Sequence, residues 1–324
     1  MRLVVIGATG HVGGYLIPRL VGAKHEVIAI SRGQQVPYRN HRAWQEVTRV
    51  TADREAEDVA GTFAGRVADL HPDVVIDMVC FTPESAQQLV DGLRGRIELL
   101  LACGSIWVHG PAVEVPVTED AVRRPFGDYG VGKAAIEELL LRETRSSGLR
   151  SVVLHPGHIS GPGWPVINPA GNRALDVWTR LATGRTVTLP NFGLETVHHV
   201  HADDVAQAFE LALQRQNVAV GESFHVASER AVTLRGFAEA VAHWFGRDAD
   251  LRFMPFEEFR KVTKLEDAEA TWEHISRSPS VSIDKARRLL GYVPRYTSLQ
   301  AVAEAVHWLE RKGELDFGAN ELVS

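Results

Sequence analysis

Tyr129 and Lys133 stand four residues apart in YGVGK, a spacing that brings two side chains onto one helical face. A phenol with a reference pKa of about 10 is a poor base near neutrality. A nearby ammonium stabilises the phenolate, so the tyrosine can take a proton from an alcohol or give one to a carbonyl as hydride leaves or arrives. Lysine can also hold the ribose of a nicotinamide. Ser105 follows the apolar run Leu99–Cys103, which puts it at the carboxyl end of a strand, where ligands bind in open α/β sheets. Its hydroxyl is suited to orienting a substrate oxygen. Ser105, Tyr129 and Lys133 are the catalytic candidates.

A second constellation lies upstream. Gly7, Gly10 and Gly13 sit in IGATGHVGG, between an apolar run and a helical pattern. Glycine permits the tight turn and a close approach to a pyrophosphate, and the helix N-terminus offers free N–H groups to its phosphates. Thr9, His11 and Val12 share this cradle. The next apolar run ends at Ser31-Arg32-Gly33, with no carboxylate between Val27 and Gln45, whereas Arg32, Arg39 and Arg42 do occur there. A permanently charged fork suits a 2′-phosphate, which favours NADP over NAD. The competing reading makes Arg32 a solvated surface residue. Asp53 either faces the adenine from the end of a third strand or caps the following helix. Val79, His155, Pro156 and His158 follow other apolar runs and complete the expected cofactor contacts.

On the substrate side, Cys80 follows the run Val74–Met78 and is expected to line the crevice. Trp107 and Trp164 lie within or beside the same motifs; each either stacks on a substrate ring or packs in the core. His198, His199 and His201 cluster without a cysteine or carboxylate at ligand spacing, so no metal is expected.

These residues need a scaffold. The apolar runs Leu3–Ile6, Val27–Ile30, Val74–Met78, Glu98–Cys103 and Ser151–His155 alternate with helical patterns at Val12–Val21, Ala56–Leu70, Pro83–Leu93 and Lys133–Thr144. That alternation predicts an α/β, Rossmann-type, doubly wound parallel sheet buried on both faces. After His155, the stretch Gly157–Pro169 reads as a loop. Helices are expected at Leu175–Ala182, Asp203–Leu213, Leu234–Phe245, Asp284–Leu290 and Leu299–Arg311, with strands near Val187 and at Ser223–Val226. Asp203 is a helix-cap candidate. The region up to Ser282 reads as irregular. The expected division is a cofactor domain over 1–156 and a smaller, mainly substrate-binding domain over 157–324, with some elements returning to the sheet.

The whole composition narrows the function classes. With 324 residues and a net charge of −6, the chain is not broadly basic, which speaks against nucleic acid as its main partner. Two cysteines cannot build a disulfide framework. No run is long and apolar enough for a transmembrane helix, and no signal-peptide pattern opens the chain. A cytoplasmic enzyme acting on a small molecule is expected.

With these motifs assembled, the chain resembles the extended short-chain dehydrogenases/reductases, specifically the NAD-dependent epimerase/dehydratase family. The matching pieces are IGATGHVG at Gly7–Gly13, GSIWVHG at Gly104–Gly110, YGVGK at Tyr129–Lys133, HPGHISGPG at His155–Gly163, VHADDVAQAF at Val200–Phe209 and SIDKARRLLGYVPRY at Ser282–Tyr296. The resemblance implies a Rossmann domain, a small C-terminal substrate domain and a homodimer. Arg185 and Arg277 fall roughly where members acting on nucleotide sugars place diphosphate-binding arginines. Those members commonly carry Arg and Asn where this chain has His155 and His158. The missing Asn and the presence of Arg32 tilt the expectation towards a net oxidoreductase at an alcohol or carbonyl carbon of a sugar-like or other small substrate. A nucleotide-sugar epimerase or dehydratase with retained NAD is the alternative. A non-catalytic member that senses the cofactor or binds RNA is a second one.

Overall fold

The computed structural model describes residues 1–37, 39–146 and 148–318. Seven parallel strands form the central sheet. Five of its strands come from the expected apolar runs: β1 (Arg2–Ile6), β2 (Glu26–Ser31), β4 (Val74–Asp77), β5 (Leu99–Cys103) and β6 (Ser151–Pro156). The more polar β3 (Thr48–Thr51) is the edge strand beside β2, where one flank needs no partner. The short strands β7 (His158–Ser160), β8 (Val187–Pro190), β9 (Thr196–Val197) and β10 (His199–His201) follow, and β11 (Ser223–Val226) returns to the sheet beside β6. Strands β12 (Val232–Thr233) and β13 (Leu251–Met254) pair with β9 and β8.

The sheet order is β11-β6-β5-β4-β1-β2-β3. The chain winds outward from β1 through β2 and β3, then crosses to the other side at β4. The strand order therefore reverses between β1 and β4, the point at which such sheets open a ligand crevice at their carboxyl edge.

Helices α1 (Gly13–Gly22), α2 (Arg54–Val59), α3 (Phe63–Ala68), α4 (Pro83–Leu93) and α5 (Gly127–Arg145) belong to the first half. The second half holds α6 (Asp176–Ala182), α7 (Ala202–Gln214), α8 (Gln216–Ala219), α9 (Leu234–His243), α10 (Phe256–Val262), α11 (Leu265–Ile275), α12 (Asp284–Leu290) and α13 (Ser298–Arg311). One face of the sheet packs on α1, α7 and α12, through residues such as Leu16, Phe209 and Leu290. The other packs on α3, α4 and α5, through Phe63, Leu89 and Ile136. A separate core joins Trp178, Phe237, Val241, Phe259 and Val306.

Three expectations need correction. The single helix expected over Ala56–Leu70 is two, because Gly61 adopts a left-handed φ of 68° between them. The expected loop Gly157–Pro169 begins with β7, which pairs in parallel with β10. The region read as irregular before Ser282 holds β13, α10 and α11; in α11, Ala268, Thr271 and Ile275 recur at helical spacing and are buried.

Candidate active site

A cleft of about 1560 Å³ opens along the carboxyl edge of the sheet. It exceeds the roughly 300–1,000 Å³ of a single small-molecule pocket, so it has room for two ligands side by side. Its floor is the glycine turn. Gly7, Thr9, Gly10, His11, Val12 and Gly13 all line it. A Cβ at Gly13 would stand 1.9 Å from the Ala8 carbonyl oxygen, so only glycine lets α1 begin this close to β1. Gly13, which opens α1, lines the cleft, so the helix N-terminus begins where a pyrophosphate would be favoured. His11 stacks on Trp164 with ring centres 5.7 Å apart, joining the cradle to the loop after β7.

At one end, Arg32 and Asp53 line the cleft, and Val79 lines it beside Gly7. Arg39 does not; its guanidinium covers the Tyr15 ring at 4.4 Å. Arg42 opens a short 3₁₀ turn outside it. Arg32 is thus the one arginine of the three on the cleft wall. Asp53 does both things considered for it: it lines the cleft and accepts a hydrogen bond from the Ala56 N–H at 3.3 Å, capping α2. Arg54, next to it, was not singled out from sequence. It lines the cleft while pairing with both oxygens of the buried Asp77 at 2.6 and 2.7 Å.

The centre holds Ser105, Tyr129 and Lys133, all on the cleft wall. Tyr129 and Lys133 lie in the first two turns of α5. Lys133 is buried at 2% exposure, and its ammonium donates to the carbonyls of Cys80 (2.7 Å) and Cys103 (2.8 Å). It stands 5.7 Å from the Tyr129 ring centre. The expectation that this ammonium lowers the phenol's pKa is not met. Although the Tyr129 side chain is 41% exposed, the protein packed around it and Cys103 push the phenol up, and a hydrogen bond with Ser105 opposes this. The phenol is a proton carrier at neutral pH. Trp107 packs edge-on against Tyr129 at 5.5 Å.

Behind Ser105 lies a buried chain of polar contacts. The Ser105 N–H donates to His155 Nδ1 at 3.0 Å. His155 Nε2 faces Glu137 Oε1 at 3.0 Å, and Glu137 also pairs with Arg123. The acceptor role of Nδ1 puts the ring proton on Nε2, towards the carboxylate. Despite the cost of burial, His155 and Arg123 hold Glu137 down to about 2. Gly104 is part of this arrangement, since a Cβ there would stand 2.3 Å from His155 Nδ1.

Four candidates fall elsewhere than expected, and His158, expected at the cofactor, makes a fifth. His155 is fully buried behind Ser105 and does not reach the cofactor side. Cys80 is buried, its thiol set against the Thr82 carbonyl at 3.7 Å; it serves the site through its own carbonyl. Arg185 lies exposed on the turn after α6, bonded to Thr183. Arg277 is sealed between Trp107 (3.9 Å) and Phe126 (3.7 Å) and pairs with Glu273. Pro156, His158, Trp107 and Trp164 do line the cleft. His158 is set among Trp107, His199 and His274, on the substrate side.

The three clustered histidines have separate partners. His198 joins the Ser228 carbonyl and the Val281 N–H, and His199 joins Ser160. His201, not Asp203, caps α7, by accepting from the Asp203 N–H at 3.0 Å. Asp203 instead binds Arg19 and Arg295. Glu137 was legible, since it continues the Tyr129, Lys133 face by another four residues. The wall formed by Glu266, Asp267, Glu273 and His274 lay in the region read as irregular, where the helical stripe of Ala268, Thr271 and Ile275 is short and diluted by charges.

A doubly wound sheet with a glycine cradle at its switch point and Ser, Tyr and Lys beside it defines a nicotinamide-dependent enzyme of the extended short-chain dehydrogenase/reductase type. The chain belongs to the NAD dependent epimerase/dehydratase family, whose profile matches residues 3–227. Among its curated relatives is a 2′-dehydrokanamycin reductase of Streptomyces kanamyceticus, 27% identical over 97% of this chain and 86% of the relative. A UDP-glucose 4-epimerase of Mycolicibacterium smegmatis is 24% identical over 97% of this chain and all of the relative. Among solved structures, a UDP-glucose 4-epimerase from Thermotoga maritima superposes with a TM-score of 0.73 at 19% identity, covering 96% of this chain and 99% of that one. Among the described residues no helix is long and apolar enough to cross a membrane.

Proposed function

We propose that this enzyme carries out net, NADP(H)-dependent reduction of a carbonyl, and the reverse oxidation, on a small hydroxylated substrate. The observation that carries the reading is the meeting of Ser105, Tyr129 and Lys133 beside the glycine cradle. When bound, the cofactor supplies or accepts hydride at the reacting carbon. Tyr129, a protonated phenol at neutral pH, donates its proton to the carbonyl oxygen, which becomes the hydroxyl of the product; solvent then restores the proton to the tyrosine. Ser105 holds that oxygen beside the phenol. Lys133, fixed by the Cys80 and Cys103 carbonyls, keeps a cation beside the tyrosine and the ribose. Gly7, Thr9, Gly10, His11, Val12 and Gly13 receive the pyrophosphate, Val79 and Pro156 flank the nicotinamide half, and Asp53 serves the adenine end. Arg32 takes the 2′-phosphate, which is why NADP is preferred to NAD. Residues 157–324 mainly supply the substrate wall, including Trp164; Trp107 joins them from the sheet side. We read the working form as a homodimer, as the family resemblance implies, and as cytoplasmic, from its two cysteines and its composition.

The relatives include both a reductase and epimerases. Arg32 and the burial of Arg277 favour the former. The test is Tyr129→Phe, which removes the proton and leaves the ring. Consumption of NADPH with a panel of keto sugars and keto cyclitols is expected to fall by about 10²–10⁴-fold in kcat. NADPH affinity is expected to hold. Unchanged turnover in the variant would remove Tyr129 from the chemistry.

A further inference from the structure

Arg54 is 9% exposed, yet it lines the cleft beside Asp53. Two of its three nitrogens are spent. Nη1 donates to both oxygens of Asp77, at 2.6 and 2.7 Å. Nε donates to Ser85 Oγ at 3.0 Å and to Asp58 at 3.3 Å, and Ser85 in turn donates to Asp58. The guanidinium carbon stands 5.2 Å from the centre of the Phe63 ring. Nη2 is buried and has no hydrogen-bond partner. A buried donor left unpaired is costly, and these contacts keep this one from swinging out to water. Its place on a cleft wall makes a ligand the acceptor within reach.

The guanidinium is tied to the floor of the cleft. Asp77 Oδ1 also accepts from the Val79 N–H at 3.1 Å, and a Cβ on Gly7 would stand 2.7 Å from Val79 Cγ1. Arg54, Asp77, Val79 and the first glycine of the cradle are thus in continuous contact. A pyrophosphate on that cradle brings the adjoining ribose to the end of β2, where Arg32 lines the cleft. The base must lie past the ribose, towards the end of β3. Ala52, Asp53, Arg54 and Phe63 line the cleft on that side. Charge separates the two arginines. Arg32 is exposed and forms no ion pair among the described residues, which leaves its charge for a phosphate. Arg54 is offset by Asp58 and Asp77, so its unspent N–H suits a neutral acceptor instead. The ring nitrogens of a purine are acceptors of that kind.

We infer that Arg54 reads the cofactor's base: its Nη2 donates to a ring acceptor of the adenine, a bond common to NADP and NAD, while Arg32 answers to the 2′-phosphate alone. The inference rests on the reading of this cleft as the nicotinamide-cofactor site.

The test is titration calorimetry with NADPH, NADH and reduced nicotinamide cytosine dinucleotide, which keeps the riboses and diphosphate of NADH and changes only the base. The wild-type protein is expected to bind NADH at least about tenfold more tightly than the cytosine form. Arg54→Lys keeps a cation for Asp77 and removes the second nitrogen. It is expected to weaken NADPH and NADH by the same factor, about tenfold, so that their ratio holds and the lead over the cytosine form shrinks. Arg32→Ala is expected to weaken NADPH alone. A role confined to holding Asp77 and α2 would lower the melting temperature and weaken all three ligands alike. That result, unchanged affinities in Arg54→Lys, a loss confined to NADPH, or equal binding of NADH and the cytosine form by the wild type would each overturn the inference. If the lysine variant melts below the assay temperature, the double change Arg54→Met, Asp77→Asn removes both charges of the pair and is judged by the same ratios. Binding of neither NADPH nor NADH to the wild type would overturn the cofactor reading itself, and the inference with it.

Discussion

At the scale of the residue, the site depends on which groups hold protons and which hold charge. Tyr129 holds its proton at neutral pH because a phenol's ordinary pKa is about 10 and its surroundings push it up, against the help of Ser105. Lys133 is fixed in a buried place by donating to two carbonyls. A protonated phenol facing a carbonyl is arranged for reduction, and the same group must lose that proton to run the reverse. In the proposed reading Arg32 is the residue on which cofactor choice would turn, since Arg39 is spent on Tyr15 and Arg42 lies away from the cleft. Three arginines in one loop are indistinguishable by sequence, because type alone does not say which one the loop aims inward.

At the scale of the element, β5 and β6 are coupled through Gly104 and His155. The pair explains why the residue before Ser105 has no side chain here. Gly104→Ala puts a methyl into the space of the His155 ring, which is fully buried and cannot retreat. Overpacking of this kind costs about 1–3 kcal/mol. The melting temperature is expected to fall by roughly 2–6 °C. As the Ser105 N–H loses its acceptor, kcat is expected to fall more than the KM for NADPH rises. An unchanged melt and unchanged kinetics would show that the contact carries no constraint. The parallel sheet itself was legible, since continuous apolar strands and helical stripes follow from backbone periodicity. So were Ser105, Tyr129, Lys133 and the glycine cradle, because each sits at a fixed place relative to those periods. His155 was misread because its environment is made by α5, a distant element. The α11 wall was missed because its short apolar stripe is diluted by exposed charges, and what it faces is set by tertiary packing.

At the scale of the whole molecule, the fold buries many neutral imidazoles. Burial lowers His11, His109 and His199 from 6.5 to about 3, and His198 and His274 to about 4. Unfolded, each takes up a proton near pH 6.5 that the folded form refuses. Their contribution is complete above pH 6.5 and is lost as pH falls towards the folded values. Each costs on the order of 1–2 kcal/mol by pH 5. Asp204 acts in the opposite sense: raised to about 6 by burial, it weakens the fold as pH rises from 3.8 through 6. Five groups outweigh one, so stability in urea is expected to drop steeply from pH 7 to pH 5. A flat profile over that range would mean these rings are not held neutral.

The most direct measurement of the central claim is to denature the purified protein, identify any released nucleotide by mass spectrometry, and titrate the emptied protein with NADPH and NADH. The account predicts NADP(H) or an empty site, with NADPH bound more tightly than NADH and that preference lost in Arg32→Ala. Stoichiometric, non-exchanging NAD+ would contradict it and mark an enzyme that recycles its own hydride.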